Sequence, residues 1–262
     1  MKLFLAYVLL LLCSTVSAAE PVTPDEYFER AQETSEQMRQ IFEEMLKREA
    51  DGTLDPKTAP EFSEKAEVMM SGFRHDLEKA SQGGHTVATY MLANMDSKFG
   101  PSPEERKQFC EPLQKAMDEG LLAAAVSYFH QCDVAYMRFD LKSPGHVNYI
   151  GQLQDSLQQE DKHQANYPMA TKRSLCFENQ RDVLKTKKVF AYLQAKSQSL
   201  FLTYDQYRAE AYYILAGTRF NDKGQPDKLN LDYLNQALAL GCTDAMRLKD
   251  FYEKEFGGTT AK

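Results

Sequence analysis

Tryptophan is absent from the 262 residues, and histidine occurs only five times, at 75, 85, 130, 146 and 163. No CxxC occurs, so zinc-ribbon and thioredoxin-like readings lack their signature. HExxH, GxSxG, SxxK, GxxxxGK(S/T) and GxGxxG are missing as well, and with them the local marks of metalloproteases, α/β-hydrolases, serine β-lactam enzymes, P-loop NTPases and dinucleotide enzymes. Acidic residues are plentiful, but a glycosidase pair is normally distant in sequence and cannot be read off spacing. Excess positive charge is lacking too. The net charge of −7 disfavours a general nucleic-acid or anionic-membrane binder, which needs a basic surface. No apolar run after residue 12 is long enough to span a bilayer. These absences leave no predicted catalytic residue, metal ligand or cofactor.

What is present begins with an export signal. "MKLFLAYVLLLLCSTVSAAE" has Lys2, an apolar run from Leu3 to Leu12, and Val16-Ser17-Ala18 ahead of Ala19. A basic head, a short apolar run and a small-x-small site predict cleavage after Ala18 and a periplasmic or secreted chain. The run falls short of the ~20 residues of a transmembrane helix, which counts against an uncleaved anchor. Cys13 raises a lipoprotein reading, but Leu12 stands where such signals place a small residue. Removing residues 1–18 leaves Cys110, Cys132, Cys176 and Cys242, an even number that suggests disulfides in an exported chain.

The mature chain repeats itself. Ala-x3-Gly-x3-Ala occurs at Ala80/Gly84/Ala88, Ala116/Gly120/Ala124 and Ala237/Gly241/Ala245, and the first two glycines are 36 residues apart. Such a period marks a helical repeat array. Before Gly120, Phe109, Leu113, Ala116 and Met117 recur at helical spacing, and Ser102 with Glu105 reads as a capping box with Pro103 opening the helix. Gly120 then ends the helix in the left-handed conformation that glycine adopts cheaply. "LLAAAVSYFHQC" starts the next one. The motif therefore predicts a helix–turn–helix corner, with small alanines such as Ala116 and Ala124 flanking the turn and letting the backbones approach.

These residues resemble a known family. The unit 208–241 looks like a Sel1-like repeat, a tetratricopeptide-type helical hairpin, through Ala211, Leu215, Ala216, Phe220, Gly224, Asp227, Ala237 and Gly241, then Ala245. The unit ending at Gly120 matches through Ala88, Leu92, Ala93 and Ala116. The resemblance covers roughly residues 80–135 and 205–256. Tyr128 and Lys249 stand where the family usually has leucine, and residues 140–200 show no clear match. It implies an all-α, right-handed helical-hairpin solenoid. The expected organisation is a signal peptide at 1–18, an N-terminal hairpin at 19–83, a first repeat block at 84–158, an irregular loop and helix at 159–202, and a second block at 203–258.

Elsewhere, Thr23 with Glu26, Pro24 and Gly52 bound a helix striped by Phe28, Ala31, Ser35, Met38, Phe42 and Met45. That stripe reads as packing on the next helix (Phe62, Ala66, Met69, Phe73, Leu77) or as a short coiled-coil seam that self-assembles. Residues 159–175 read as a loop and 180–199 as a helix. Residues 19–60 hold eleven Asp/Glu against five Lys/Arg, and residues 160–199 eight Lys/Arg against four Asp/Glu. The latter is a solvated face or a basic ledge for an acidic partner or anionic glycan.

Cys110 and Cys132 are symmetric about residue 121, the predicted corner. In an antiparallel hairpin they sit at one height, ~15 Å from the turn at 1.5 Å per residue, and a bridge or two buried thiols fits there. Cys176 and Cys242 then remain as the second pair, with nothing in the sequence to fix their geometry.

The concave face of the expected array would carry Tyr90, Asn94, Ser127, His130, Tyr207, Tyr212, Tyr213 and Arg219, residue types that anchor protein interfaces or simply half-bury in a core. His130 and Cys132, two apart on a helix, point away from each other and are poor co-ligands. The function expected is a non-enzymatic exported scaffold binding a protein or peptide partner in a bacterial cell envelope, possible roles including an immunity or inhibitor protein. The rival, implied by cysteine-rich Sel1-like proteins, is a cell-wall-fragment or penicillin-binding protein with weak hydrolase activity. This chain lacks their short fixed cysteine spacing. The oligomeric state and the partner's identity have no signal in the sequence.

Overall fold

A computed structural model describes residues 22–53, 59–98, 100–178, 199–221 and 223–256. The predicted signal peptide and most of the helix expected at 180–199 lie outside the described residues. The rest is mostly helical. In chain order the helices are α1 Pro24–Ala50, α2 Ala59–Gln82, α3 Thr86–Asp96, α4 Pro103–Asp118, α5 Leu122–Gln131, α6 Val134–Met137, α7 Pro144–Gln158, α8 Tyr204–Thr218, α9 Lys228–Ala239 and α10 Ala245–Phe256. Most long helices pack mainly on a neighbour in sequence, while α7 lies against both α5 and α8, and α8 also against α5.

Local chemistry sets the boundaries. The Thr23 hydroxyl accepts from the Glu26 N–H at 3.2 Å while Glu26 accepts from the Thr23 N–H at 2.6 Å. Ser102/Glu105, Thr203/Gln206 and Asp227/Asn230 repeat this reciprocal cap at the starts of α4, α8 and α9. Each cap satisfies amide groups that a helix start leaves unpaired.

The three Ala-x3-Gly-x3-Ala motifs close a helix in one way three times over. Gly84, Gly120 and Gly241 have φ of 94°, 93° and 94°. The residue after each glycine donates its N–H to the carbonyl of the first alanine: His85 to Ala80 at 3.0 Å, Leu121 to Ala116 at 3.1 Å, Cys242 to Ala237 at 3.0 Å. The glycine N–H bonds three residues back, at 2.9 to 3.0 Å in every copy. This is the paired closure of a Schellman cap, which requires a left-handed residue at the glycine. Ala80, Ala88, Ala116, Ala124, Ala237 and Ala245 are all fully buried, so a larger side chain has no space at any of them.

The second alanine of each motif departs from the expectation of a uniform corner. Ala124 does not border the turn. It lies inside α5, two residues after its first residue, Leu122. The helix starts also differ. The Ala88 N–H donates to His85 Nδ1 at 3.2 Å, a side-chain cap. Leu121 has no side-chain acceptor to offer, so the Ala124 N–H turns to the Leu121 carbonyl at 3.1 Å, and the Ala245 N–H to that of Cys242 at 3.2 Å. Ala-x3-Gly-x3-Ala therefore dictates how one helix stops, and the residue after the glycine decides how the next one begins.

Two further features depart from the all-helical expectation. Met169–Thr171 (β1) pairs antiparallel with Leu200–Leu202 (β2), Met169 opposite Leu202 and Thr171 opposite Leu200. The loop expected over 159–175 thus contains a strand and a 3-10 turn, Gln164–Asn166. A three-residue strand is too short to show the alternation by which strands are recognised.

Two cysteine pairs sit at disulfide distance. Cys110 and Cys132 tie α4 to the end of α5 with Cα atoms 5.6 Å apart, and Cys176 and Cys242 tie the segment after β1 to the α9–α10 corner with Cα atoms 4.8 Å apart. Such pairs persist in oxidising compartments. Among the described residues no helix is long and apolar enough to cross a membrane.

Candidate functional site

The residues expected on an open concave face are occupied by the chain itself. Tyr90 on α3 and Tyr207 on α8 are fully buried, and Asn94 is 4% exposed. The Tyr90 hydroxyl donates to the Ala170 carbonyl at 2.5 Å and lies 2.9 Å from the Tyr207 hydroxyl. Asn94 Nδ2 donates to the same carbonyl at 2.9 Å, and the Ser127 hydroxyl stands 3.3 Å from that of Tyr90. Helices α3, α5 and α8 therefore grip the main chain of β1 much as a receptor grips an extended peptide. Tyr90, Asn94, Ser127 and Tyr207 are corrected from partner-binding to internal positions, because a two-strand ribbon fills the face they line. Burial pushes the Tyr90 phenol up to about 12, and that of Tyr207 well above its ordinary value.

His130 is also buried, beside a carboxylate inside the protein. Glu210 on α8 is fully buried. It accepts from the Leu175 and Cys176 amides at 3.0 and 2.8 Å and from the Ser174 hydroxyl, and lies 3.8 Å from His130 Nε2. Burial works to raise the Glu210 carboxyl. His130, Ser174 and the Leu175 amide outweigh it and hold the group below its ordinary value. Ser174 bonds the carboxylate directly rather than the imidazole, so the trio lacks the nucleophile–base contact of a hydrolytic triad. Its evident work is to anchor residues 174–176 on α8, next to the Cys176–Cys242 link.

A second buried pair closes the other flank. His146 Nδ1 lies 2.5 Å from Asp133 Oδ2, and Nε2 lies 3.3 Å from the Thr218 carbonyl. Asp133 also caps α6 through the Tyr136 amide at 3.0 Å. The ring links two acceptors and joins α6 and α7 to the end of α8. Among the described residues no group of three or more His, Cys, Asp or Glu stands together as a metal site.

Tyr212, Tyr213 and Arg219 stay partly exposed. Tyr212 stacks on Tyr233 with centroids 6.0 Å apart. Arg219 binds Asp227 Oδ1 at 2.9 Å and Asn230 Oδ1 at 3.3 Å, holding the start of α9 to the end of α8. Arg219 lines a cavity of about 540 Å³ with Lys142 and His146, and Tyr212 is not among its walls.

One apolar surface lies on the first hairpin, along the stripe expected to pack on the next helix or to form a coiled-coil seam. In the first hairpin the buried side chains, Phe28, Ala31, Phe73, Leu77 and Ala80, all lie at the base where α2 meets α3. Farther out, Met38, Ile41, Phe42 and Met45 of α1 face Phe62, Met69 and Met70 of α2 across an open groove of about 690 Å³. Phe42 is 54% exposed and Met70 46%. Residues 32–70 carry ten Asp/Glu against five Lys/Arg, and Arg39 is already held by Glu36 and Glu43. The stripe itself was visible in the sequence. That no third helix among the described residues covers it was not.

No family model, curated protein or solved structure matches this chain.

Proposed function

We propose that this chain is an exported, non-enzymatic scaffold of Sel1-like type, a right-handed array of helical hairpins, that binds a protein partner through the tip of its first hairpin. The single observation that carries the partner site is the open groove in which Phe42 and Met70 are exposed and Met38 and Met69 half-buried. Full burial of a Phe or Met side chain contributes about 1.5–3 kcal/mol, so an open seam of this size is a driving force awaiting an occupant. Methionine-rich surfaces adapt to varied apolar shapes. The groove between two helices suits an amphipathic helix laid into it, and the acidic balance of residues 32–70 favours a basic one. Support for the repeat type comes from the three glycine corners of one geometry, and for export from the two cysteine pairs and the N-terminal sequence.

The test uses two labelled synthetic helices of equal length, one of alternating leucine and lysine faces and one of leucine and glutamate faces, titrated against the oxidised chain. The basic helix should bind at least tenfold more tightly, weaken with added salt, and lose that affinity in the Phe42→Ser/Met70→Ser double variant. Equal binding of both helices, or binding indifferent to the double variant, sinks the proposal.

A further inference from the structure

Helix α6 ends in the same corner as the three glycine motifs, with phenylalanine in the glycine's place. The Phe139 N–H donates to the Tyr136 carbonyl at 3.0 Å, and the Asp140 N–H to that of Ala135 at 2.8 Å. These are the bonds, three and five residues back, that Gly84, Gly120, Gly241 and the residues after them make. Phe139 has φ of 57°, and among the described residues it is the one non-glycine in the positive range. A β-carbon crowds the following carbonyl oxygen in that conformation, a clash that glycine avoids.

The ring gains nothing inside the molecule in return. Phe139 is 87% exposed, more than any other large apolar side chain among the described residues, and it lines neither the Arg219 cavity nor the hairpin groove. A lone exposed apolar side chain is ordinary on a protein surface. One held in water by a strained backbone is not, and strain of this kind collects where a side chain is presented for use. The nearby charge is mainly positive: Arg138 precedes the ring and Lys142 follows it, both exposed, against the single acid Asp140.

A groove of opposite character lies on the same chain. The tip of the first hairpin is apolar and open, and its volume of about 690 Å³ is ample for a phenyl ring. Methionine sulfur packs favourably on aromatic rings, and Met38, Met69 and Met70 stand in its walls. Glu64 and Glu67 are exposed on either side of Ala66, a wall residue. Phe139 is not among the walls, so ring and groove are left to meet between two molecules. We propose that Phe139 seats in the hairpin groove of a second copy of this chain, with Arg138 facing the acidic tip. The inference rests on the reading of the tip as a binding groove and names its occupant. Such a contact joins two different surfaces, so every bound pair keeps one free ring and one free groove and assembly runs on to a closed ring of subunits or a filament.

Sedimentation of the oxidised chain over a wide range of concentration tests it. Association should pass beyond the dimer and weaken with added salt. Phe139→Gly should weaken it at least tenfold and raise the melting temperature, since glycine relieves the corner. A ring that the fold needed would lower the melting temperature when removed. Phe42→Ser should weaken association to the same degree. Mixing these two variants should then give dimers and nothing larger, because one keeps the groove and the other keeps the ring. A chain that stays monomeric at every concentration, association unchanged in Phe139→Gly, a lower melting temperature in that variant, or a mixture that stays monomeric overturns the inference. The basic synthetic helix separates this from the broader reading of the tip. Its binding to a chain that does not associate sinks the self-contact alone, and association without helix binding sinks the helix reading alone.

Discussion

The body of the protein and its first hairpin use similar residues to opposite ends. In the body, Leu121, Leu122, Phe129, Leu153, Tyr207 and Ile214 are buried to within 1% of completely. Along α1 burial stops at Ala31, and on α2 it begins only at Phe73, so the outer part of the two helices keeps Phe42 and Met70 at the surface and Met38 half-buried. The body closes its seams with a third element each time, a neighbouring helix or the β1–β2 ribbon. Among the described residues the outer hairpin has two helices and no third. The difference teaches that a helical stripe specifies a face to be covered, and that topology decides whether this chain or another molecule covers it.

The sharpest way to break that contrast is to unfasten the body. Replacing Cys176 and Cys242 by serine opens a 66-residue separation, which should cost about 4 kcal/mol in urea unfolding. Loss of much less would mean that the ribbon holds without its covalent tie. Next in size, Leu122→Ala in the body should cost about 3 kcal/mol by leaving a cavity, while Met45→Ala on the arm should cost under about 1 kcal/mol. Similar values for the two would erase the distinction.

Glu210→Gln should cost about 2 kcal/mol, since it weakens the acceptor of two buried amides and a hydroxyl. The sign of its pH dependence follows from the lowered value. The unfolded chain takes up the proton first, so Glu210's contribution is whole above the ordinary carboxyl range and fades as pH falls through the lowered one. Acid unfolding of the variant should therefore be shallower than that of the parent. Tyr90→Phe should cost about 1 kcal/mol. The Tyr90 phenol is raised, so its contribution is complete below pH 10 and is lost as pH climbs toward about 12, a limb the variant should flatten. The smallest effect is expected at the tip: Phe42→Ser should change stability by no more than about 0.5 kcal/mol while abolishing binding of the basic helix.

Local punctuation made much of the fold readable. Gly84, Gly120 and Gly241 announced their corners because a left-handed residue between helices has few alternatives. Cys110 and Cys132 could be paired because both sit on one hairpin of known rise. Cys176 and Cys242 could not, because their meeting depends on where an irregular segment lands. The same long-range step hid the fate of Tyr90, Asn94 and Tyr207. Their spacing on α3 and α8 marks an inward face, and nothing local says that Ala170, 80 residues from Tyr90, will fill it. Lys98, Arg106, Lys172 and Arg173 line one cavity; Lys172 and Arg173 belong to the charge excess after residue 160, and only the fold brings Lys98 and Arg106 beside them.

The two cysteine links also decide how the chain answers to tension. Pulled from its ends, an oxidised molecule transmits load through the sulfur bridges and spares everything between each pair. The bypassed lengths are 22 and 66 residues. At roughly 3.5 Å per extended residue, reduction would release about 75 Å and about 230 Å of extra reach. β2, α8 and α9 all sit inside the longer of these shunts, whereas β1, the strand that fills the groove, lies just outside it, so under tension the groove loses its filling strand before it loses the helix that holds it.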